Sequence, residues 1–163
     1  MTRRNAAEVD RVLRLLGSDL ALDYPGPSGY WEDADLAVAL PSGRLPATLD
    51  LAVASRLQAA DQLLANRLKT HKGELAPLGH PEYGSRHHEL IGQPNVERTR
   101  NLIKLHVLEA LSHEPRIEKV LECTVRPGHV PPRDTVRIEV TVRLHGEPTP
   151  LNLVVPFNLG GAA

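Results

Sequence analysis

The architecture follows from one segment, residues 95–116, which reads NVERTRNLIKLHVLEALSHEPR. Its apolar residues recur at helical spacing, which predicts a long helix with one buried stripe. The stripe comprises Leu102, Ile103, Leu105, Val107, Leu108, Ala110 and Leu111. Asn95 is the predicted N-cap. Pro115 ends the helix, because it has no N–H and moves Glu114 out of the α region. Glu114 and Arg116 are therefore held on either side of a rigid bend.

Composition narrows the class of protein. The 163 residues suit one domain with an appended segment, and the 3 % aromatic content leaves a core of Leu, Val, Ile and Ala. A net charge of −1 gives no sign of the excess positive charge that proteins use to bind nucleic acids or anionic membranes. The single cysteine excludes an internal disulfide and a Cys-only zinc site. No signal peptide or run of 18 apolar residues is present, so we expect synthesis and folding in the cytoplasm.

Helices and a hairpin are predicted ahead of residue 95. Apolar spacing and turn residues predict a helix over 6–16, short strands over 18–23 and 35–40, a helix over 48–70 and a short helix over 82–91. The two short strands would form a hairpin lying on the main domain. We find no internal repeat.

The last third of the chain alternates apolar and polar residues, which is typical of strands. Strands are predicted over 120–125, 135–145 and 151–157. The second has the cleanest pattern, with Val136, Ile138, Val140, Val142 and Leu144 on one dry face. The predicted class is α+β, with helices packed on a three-stranded antiparallel β-meander. We expect an extension over 1–47, a domain over 48–159 and a loose tail over 160–163.

The sequence offers little catalytic chemistry. Nucleotide-binding, metalloprotease and serine-hydrolase motifs are absent from it. Cys123 alternates with apolar residues, which predicts an inert buried thiol. The histidines lack zinc spacing and are expected on the surface or in loops, so neither a metal nor a cofactor is predicted. The histidines concerned are His71, His80, His87, His88, His106 and His113.

Four motifs occur in an order that resembles a known family. They are RLKTHKGEL at 67–75, Pro81 with Tyr83-Gly84, Glu114-Pro115-Arg116, and VVPF at 154–157. Together they are similar to the lysozyme-named baseplate wedge family. It includes sheath initiators of contractile phage tails, the TssE-type component of type VI secretion, and relatives in extracellular injection particles. The similarity runs from about residue 50 to 159. Thr70-His71 departs from the family's threonine-proline.

The resemblance implies a structural role without catalysis. In such proteins the Glu-Pro-Arg corner docks on the helical bundle of the wedge, so Glu114 and Arg116 would form a charge pair with the bundle or with each other. The strand edge starts the first sheath ring by strand addition. The implied partners are the sheath protein, wedge proteins and the inner tube or hub. Several copies of the chain would lie in a symmetric ring of the assembled particle. The resemblance implies neither nucleic-acid binding nor direct membrane insertion. The implied interface residues are Tyr83, Gly84, Glu114, Pro115, Arg116, Leu151, Leu153, Val155 and Phe157.

Two other functions remain open. A peptidoglycan hydrolase (muramidase) carried on the particle needs two carboxylates across a sugar-sized cleft. The candidates are Glu74, Glu82, Glu89 and Glu114. A free-standing binding module would not associate with tube or sheath proteins. The resemblance also leaves open whether the parent machine is a phage tail, a type VI system or an extracellular particle.

Overall fold

The computed structural model describes residues 17–23, 34–39, 49–128 and 134–160. The chain divides into two compact units, Met1–Gln62 and Leu63–Ala163. The α+β class is confirmed, while the helix predicted over 6–16 lies outside the described residues.

The described elements follow one another along the chain in this order. They are β1 (Ser18–Leu20), β2 (Leu22–Asp23), β3 (Asp35–Leu36), β4 (Val38–Ala39), β5 (Asp50–Leu51), β6 (Val53–Ser55), α1 (Leu57–Lys69), a 3-10 helix (Ala76–Leu78), a second 3-10 helix (Arg86–Leu90), α2 (Glu97–Ser112), β7 (Ile117–Pro127), β8 (Thr135–Leu144) and β9 (Leu151–Asn158). No helix among the described residues has the length and apolar character needed to cross a membrane.

The described strands of the N-terminal unit carry three copies of one short motif, Asp-Leu-Ala followed by Leu or Val. The copies lie at 19–22, 35–38 and 50–53, so our reading that the chain lacks an internal repeat was wrong. Each copy bends at its alanine and pairs with both others: β1 with β6, β2 with β3 and β4 with β5, all antiparallel. The predicted hairpin is thus present as the β2–β3 pair, within a three-membered arrangement.

The three alanines close this arrangement into a ring of backbone hydrogen bonds. Ala21 donates to Ala52 (2.9 Å), Ala52 donates to Ala37 (2.8 Å), and Ala37 donates to Ala21 (2.8 Å). The side chain of Gln62 makes two hydrogen bonds to the first copy. Its Nε2 donates to the Leu20 carbonyl (2.9 Å), and its Oε1 accepts from the Leu22 amide (2.8 Å). The side chains of Ala37 and Ala52 pack against a small buried cluster that is formed by Ala21, Ala54 and Ala59.

Helix α1 is shorter than predicted. It begins at Leu57 instead of residue 48, because residues 50–55 are already committed to β5 and β6. Arg56, with φ +53°, makes the turn between strand and helix. Apolar spacing over 48–70 predicts one buried stripe, and only its later members are buried. Ala60, Leu64 and Leu68 are buried, whereas Leu49, Val53 and Leu57 are exposed.

Helix α2 lies where the sequence places it, but its buried face covers only part of the predicted stripe: four of the seven stripe residues, Ile103, Val107, Ala110 and Leu111, are buried. Leu102 and Leu105 are exposed, and the buried residues are Thr99, Ile103, Val107, Ala110 and Leu111. The helix has many leucines around its circumference, so composition alone did not select the face that meets β7. Its N-cap is Val96, one residue after the predicted Asn95.

The C-terminal sheet has the order β7-β8-β9, antiparallel throughout. All five residues predicted for the dry face of β8 are buried, which confirms the alternation reading of that strand. Ile138 lies at its centre, opposite Val125 on one side and Val155 on the other. β7 is longer than predicted and carries two irregularities in its register. The predicted helix over 82–91 is reduced to the 3-10 helix at 86–90.

Candidate functional site: the Glu-Pro-Arg corner

The chain turns sharply between α2 and β7, and backbone bonds fix that turn. The Glu114 amide donates to the Leu111 carbonyl (3.1 Å), and the Ile117 amide donates to the Glu114 carbonyl (3.1 Å). The Arg116 carbonyl accepts from the His145 amide (3.0 Å), which ties the corner to the end of β8. Pro115 is exposed at its tip. The corner is therefore a rigid feature that presents Pro115 outward.

Glu114 points inward and is only 3 % exposed. Its Oε2 accepts from Arg67 Nη2 at 3.0 Å, and its Oε1 accepts from Arg116 Nη1 at 3.3 Å. The Glu114–Arg116 pairing was one of the predicted alternatives, but Arg67 was missed as the principal partner. A usable signal was present, since Arg67 directly precedes Leu68 in the predicted buried stripe. A charge next to such a stripe requires a partner.

Tyr83 and Gly84 bring a loop against the same arginine. The guanidinium carbon of Arg67 lies 4.5 Å from the centroid of the Tyr83 ring. Burial raises the pKa of the Tyr83 phenol, although the positive charge of Arg67 opposes that shift. Gly84 has φ +99°, and a Cβ at this position would lie 2.6 Å from the His71 carbonyl oxygen. Only glycine allows the loop this close to the end of α1.

An open hollow of about 360 Å³ adjoins these residues. We call it the Arg67 hollow; it is lined by Arg67, Gly79, His80, Pro81, Glu82, Tyr83 and His113. Arg67 is 7 % exposed, and its Nε has no hydrogen-bond partner within the described part of the chain. A buried donor left in this state typically costs about 1–3 kcal/mol. The corner thus keeps an unused donor beside a cavity.

The structure places the other four predicted interface residues on β9. Leu151 is half-buried, while Leu153, Val155 and Phe157 are 1 %, 5 % and 8 % exposed, so these three side chains belong to the core. They can reach a partner only through their strand's backbone. Their position on β9 makes the strand's outer edge the relevant feature.

The backbone N–H and C=O groups of β9 point alternately toward β8 and toward its outer edge. The Leu159 amide donates to the Asp134 carbonyl (2.9 Å), and residues alternate between inward and outward bonding in an antiparallel pair. Asn152, Val154 and Pro156 therefore turn their backbone groups away from β8. In the described ranges no strand pairs with this outer edge. Pro156 lacks an N–H, so Asn152 and Val154 supply the edge donors at the strand's centre.

One histidine, His87, differs from the surface or loop positions that were expected, whereas His71, His80 and His113 are exposed as predicted. His87 is 1 % exposed, its ring lies 4.1 Å from that of His88, and both rings meet the edge of Phe157, at 4.6 and 5.6 Å. Desolvation lowers the pKa of His87 well below the ordinary value, with nearby histidines adding to the effect. The described residues contain no cluster of three or more His, Cys, Asp or Glu suited to a metal ion.

Cys123 matches its predicted place. It is buried within β7, and burial raises the pKa of its thiol. A raised pKa lowers the thiolate fraction, which is the nucleophilic form.

Comparison with known proteins identifies the family. The family model for "Baseplate wedge protein gp25" matches residues 54–149, more than half of the chain. The chain belongs to the baseplate wedge protein gp25 family. It is thus a structural component of a tail baseplate that assembles with other baseplate components.

A solved structure supports the assignment. The chain is similar to a crystal structure of a candidate tail lysozyme from Geobacter sulfurreducens, with 27 % identity and a TM-score of 0.59. The similarity covers 70 % of this chain and 100 % of the Geobacter chain. No curated protein gives a significant match. The gp25 match spans the whole corner, from the end of the N-terminal unit to just beyond β8.

Proposed function

We propose that this gp25-family chain links the baseplate wedge to the first sheath ring and starts sheath assembly by strand addition at the outer edge of β9. The observation that carries the proposal is that edge: it is unpaired within the described residues and offers the amides of Asn152 and Val154. An open edge is a hazard that proteins usually cover. In an assembly it becomes a joint, because main-chain hydrogen bonds supply affinity and alternating side chains set the register.

The Glu-Pro-Arg corner supplies the second joint, to the helical bundle of the wedge. Pro115 is exposed and Arg116 is partly so, while Glu114 is held inside by Arg67. The outward part of the corner is therefore Pro115 with the guanidinium of Arg116. Glu114 acts indirectly, by fixing the conformation in which these two are presented. No catalytic step is part of this role.

The strand-addition step is tested by Val154→Pro, with Val154→Thr as the matched control. Proline removes the edge amide without removing a bond to β8, whereas threonine keeps the amide and suits a strand. Electron microscopy of particles from producing cells should show baseplates without sheath for Val154→Pro and normal particles for Val154→Thr. Normal sheaths on a folded Val154→Pro protein would overturn strand addition at β9.

The docking step is tested by Arg116→Ala rather than by a Glu114 variant, because loss of the buried Glu114 would destabilise the chain itself. We expect few or no complete baseplates for Arg116→Ala. Arg143→Ala, a change at an exposed position of β8, should leave assembly intact. Equal assembly of the two variants would remove the corner from the docking role.

A hydrolase function has one observation in its favour, the tail-lysozyme name of the Geobacter structure. Two of the four candidates do not suit a general acid: the pKa of the Glu89 carboxyl is lowered by its hydrogen bond to Arg86, and Glu114 is bound by two arginines. A general acid in a glycosidase needs a raised pKa. Clearing of purified peptidoglycan by the isolated chain, lost in Glu82→Gln, would support this alternative over a purely structural role.

A further inference from the structure

The three-segment ring of the N-terminal unit turns its small side chains inward and its large ones outward. Ala21 is 4 % exposed and lies in a buried cluster with Ala54 and with Ala59 of α1. Because side chains alternate along a strand, the residues on either side of each central alanine point away from that cluster. They are all aliphatic, and five of the six are exposed, by 42 % to 62 %: Leu20, Leu36, Leu51, Val38 and Val53. Packing within the unit explains the alanines but not these leucines and valines.

The outward side chains meet in three equivalent pairs. Antiparallel pairing sets the leucine of each copy opposite an aliphatic residue of another copy: Leu20 opposite Val53, Leu36 opposite Leu22, and Leu51 opposite Val38. Residues that face each other in such a pair have their Cβ atoms about 4.5–5.5 Å apart on one side of the sheet. Each copy contributes to two of the pairs, so the pairs adjoin. They form one aliphatic surface with approximate three-fold symmetry, which we call the leucine face.

A carboxylate is fixed beside each leucine that begins a pair. The aspartate before that leucine accepts, through Oδ1, a hydrogen bond of 2.7–2.8 Å from the leucine's own amide; the three are Asp19, Asp35 and Asp50. All three are exposed, and none of them forms an ion pair with another described residue. The described ring segments, 17–23, 34–39 and 49–55, contain no Lys or Arg. The leucine face therefore combines aliphatic contact area with negative charge. Contiguous exposed apolar patches of this kind mark interaction sites.

We propose that the leucine face binds an amphipathic helix of another protein whose aliphatic stripe is flanked by lysine or arginine. A helix that presents aliphatic residues at i, i+3 and i+7 covers about 10 Å, which matches two inter-strand spacings of about 4.8 Å. Basic flanks would supply the countercharge that the three aspartates lack among the described residues. A second copy of this chain would instead bring like charges together. The contact is separate from the docking and strand addition proposed above, because its residues belong neither to the corner nor to β9.

The binding step is tested by titrating the ¹⁵N-labelled full chain with a model helix of about five turns, built from leucine, alanine and arginine. Two control peptides replace its arginines with glutamate or its leucines with serine. We expect saturable shifts of the Leu20, Leu36 and Leu51 amide signals with the first peptide and none with either control. Equal shifts with the glutamate peptide, or shifts confined to other residues, would overturn the proposal.

The charge requirement is tested by a variant in which asparagine replaces all three aspartates. The asparagine Oδ1 can still accept from the leucine amide, so the local backbone geometry is kept. A matched control removes the same charge from three exposed carboxylates of the second unit, through Glu97→Gln, Glu118→Gln and Glu122→Gln. We expect the model helix to bind at least about ten-fold more weakly to the asparagine variant, with little change in the control. Equal weakening in both, or unchanged binding by the asparagine variant, would contradict a specific site.

The occupant is identified in producing cells by photocrosslinking from p-benzoylphenylalanine placed at position 36, with position 118 as the control. Both positions are exposed, so the probe should be tolerated. We expect an adduct at 36, and none at 118, in which the crosslinked peptide of another protein carries Lys or Arg beside aliphatic residues. An adduct with a second copy of this chain, or no adduct at 36, would rule out the proposed occupant.

Discussion

The charged groups of Arg67 and Glu114 are both buried, so each offsets the free energy that the other loses when it leaves water. Their side chains are 9 % and 2 % exposed, and the contact is 3.0 Å. Glu114→Gln removes the charge and leaves the guanidinium uncompensated, which typically costs about 3–5 kcal/mol. We expect a loss of that order in the free energy of unfolding, measured by urea denaturation of the isolated chain.

The matched control is Glu82→Gln, which also breaks an ion pair with a basic side chain. Glu82 is 69 % exposed, so its pair with Lys72 is screened by water and contributes little. The urea midpoint should hardly move. If the two variants lost equal stability, the buried pair would not have the structural role assigned to it here.

Among the elements, the 3-10 helix at 86–90 makes the stability of the chain depend on pH. It carries His87, whose folded-state pKa is lowered by burial against Phe157 and neighbouring histidines; that of His88 is also lowered by burial. The unfolded chain takes up protons near pH 6.5, while the folded chain resists them. Stability is therefore full above pH 6.5 and falls as the pH drops below it.

The measurement is the thermal midpoint between pH 7.5 and 5. His87→Gln should flatten this profile, since it removes the buried ionisable group, whereas His80→Gln, at an exposed loop position, should leave the slope unchanged. Identical slopes in the wild type and His87→Gln would assign the pH dependence to other groups.

The elements also show what sequence patterns could determine. The alternation in β8 predicted its buried face correctly, because the pleat permits only two faces and the polar residues occupy one of them. Helix α2 has leucines on several faces, so the buried one depended on the position of β7. Residues 50–55 resembled a helix until their pairing with two distant segments was known.

The corner was predictable as a bend and as a charge pair, but its third member was not. Arg67 precedes Glu114 by 47 residues, and only the folded chain brings them together. The Arg67 hollow likewise depends on a loop that Gly84 lets approach the end of α1. Local sequence patterns do not show that these residues lie close together in space, although the family resemblance placed Tyr83, Gly84 and the three corner residues among the interface residues.

At the scale of the whole molecule, the division into two units predicts that the second can fold alone. A chain of residues 56–163 retains all of α1, α2 and the three-stranded sheet, which hold the core around Ile103 and Ile138. We expect a dispersed NMR spectrum and one cooperative thermal transition from this fragment.

A fragment of residues 56–150 is the control, because it lacks β9 and with it the buried Leu153, Val155 and Phe157. It should remain unfolded. An unfolded 56–163 fragment would show that the N-terminal unit is needed for the fold of the rest.

The ring made by Ala21, Ala37 and Ala52 limits how early this part of the chain can fold during translation. Each segment pairs with both others, so two of them cannot complete it. On the ribosome, the first segment emerges long before the third has been translated, so β1 and the Ala21 amide lack their partners, β6 and the Ala52 carbonyl, until then. The nascent chain can close the ring only after Ser55 has left the exit tunnel, so the first of the three segments is translated before the other two but cannot complete its pairing until the third is made.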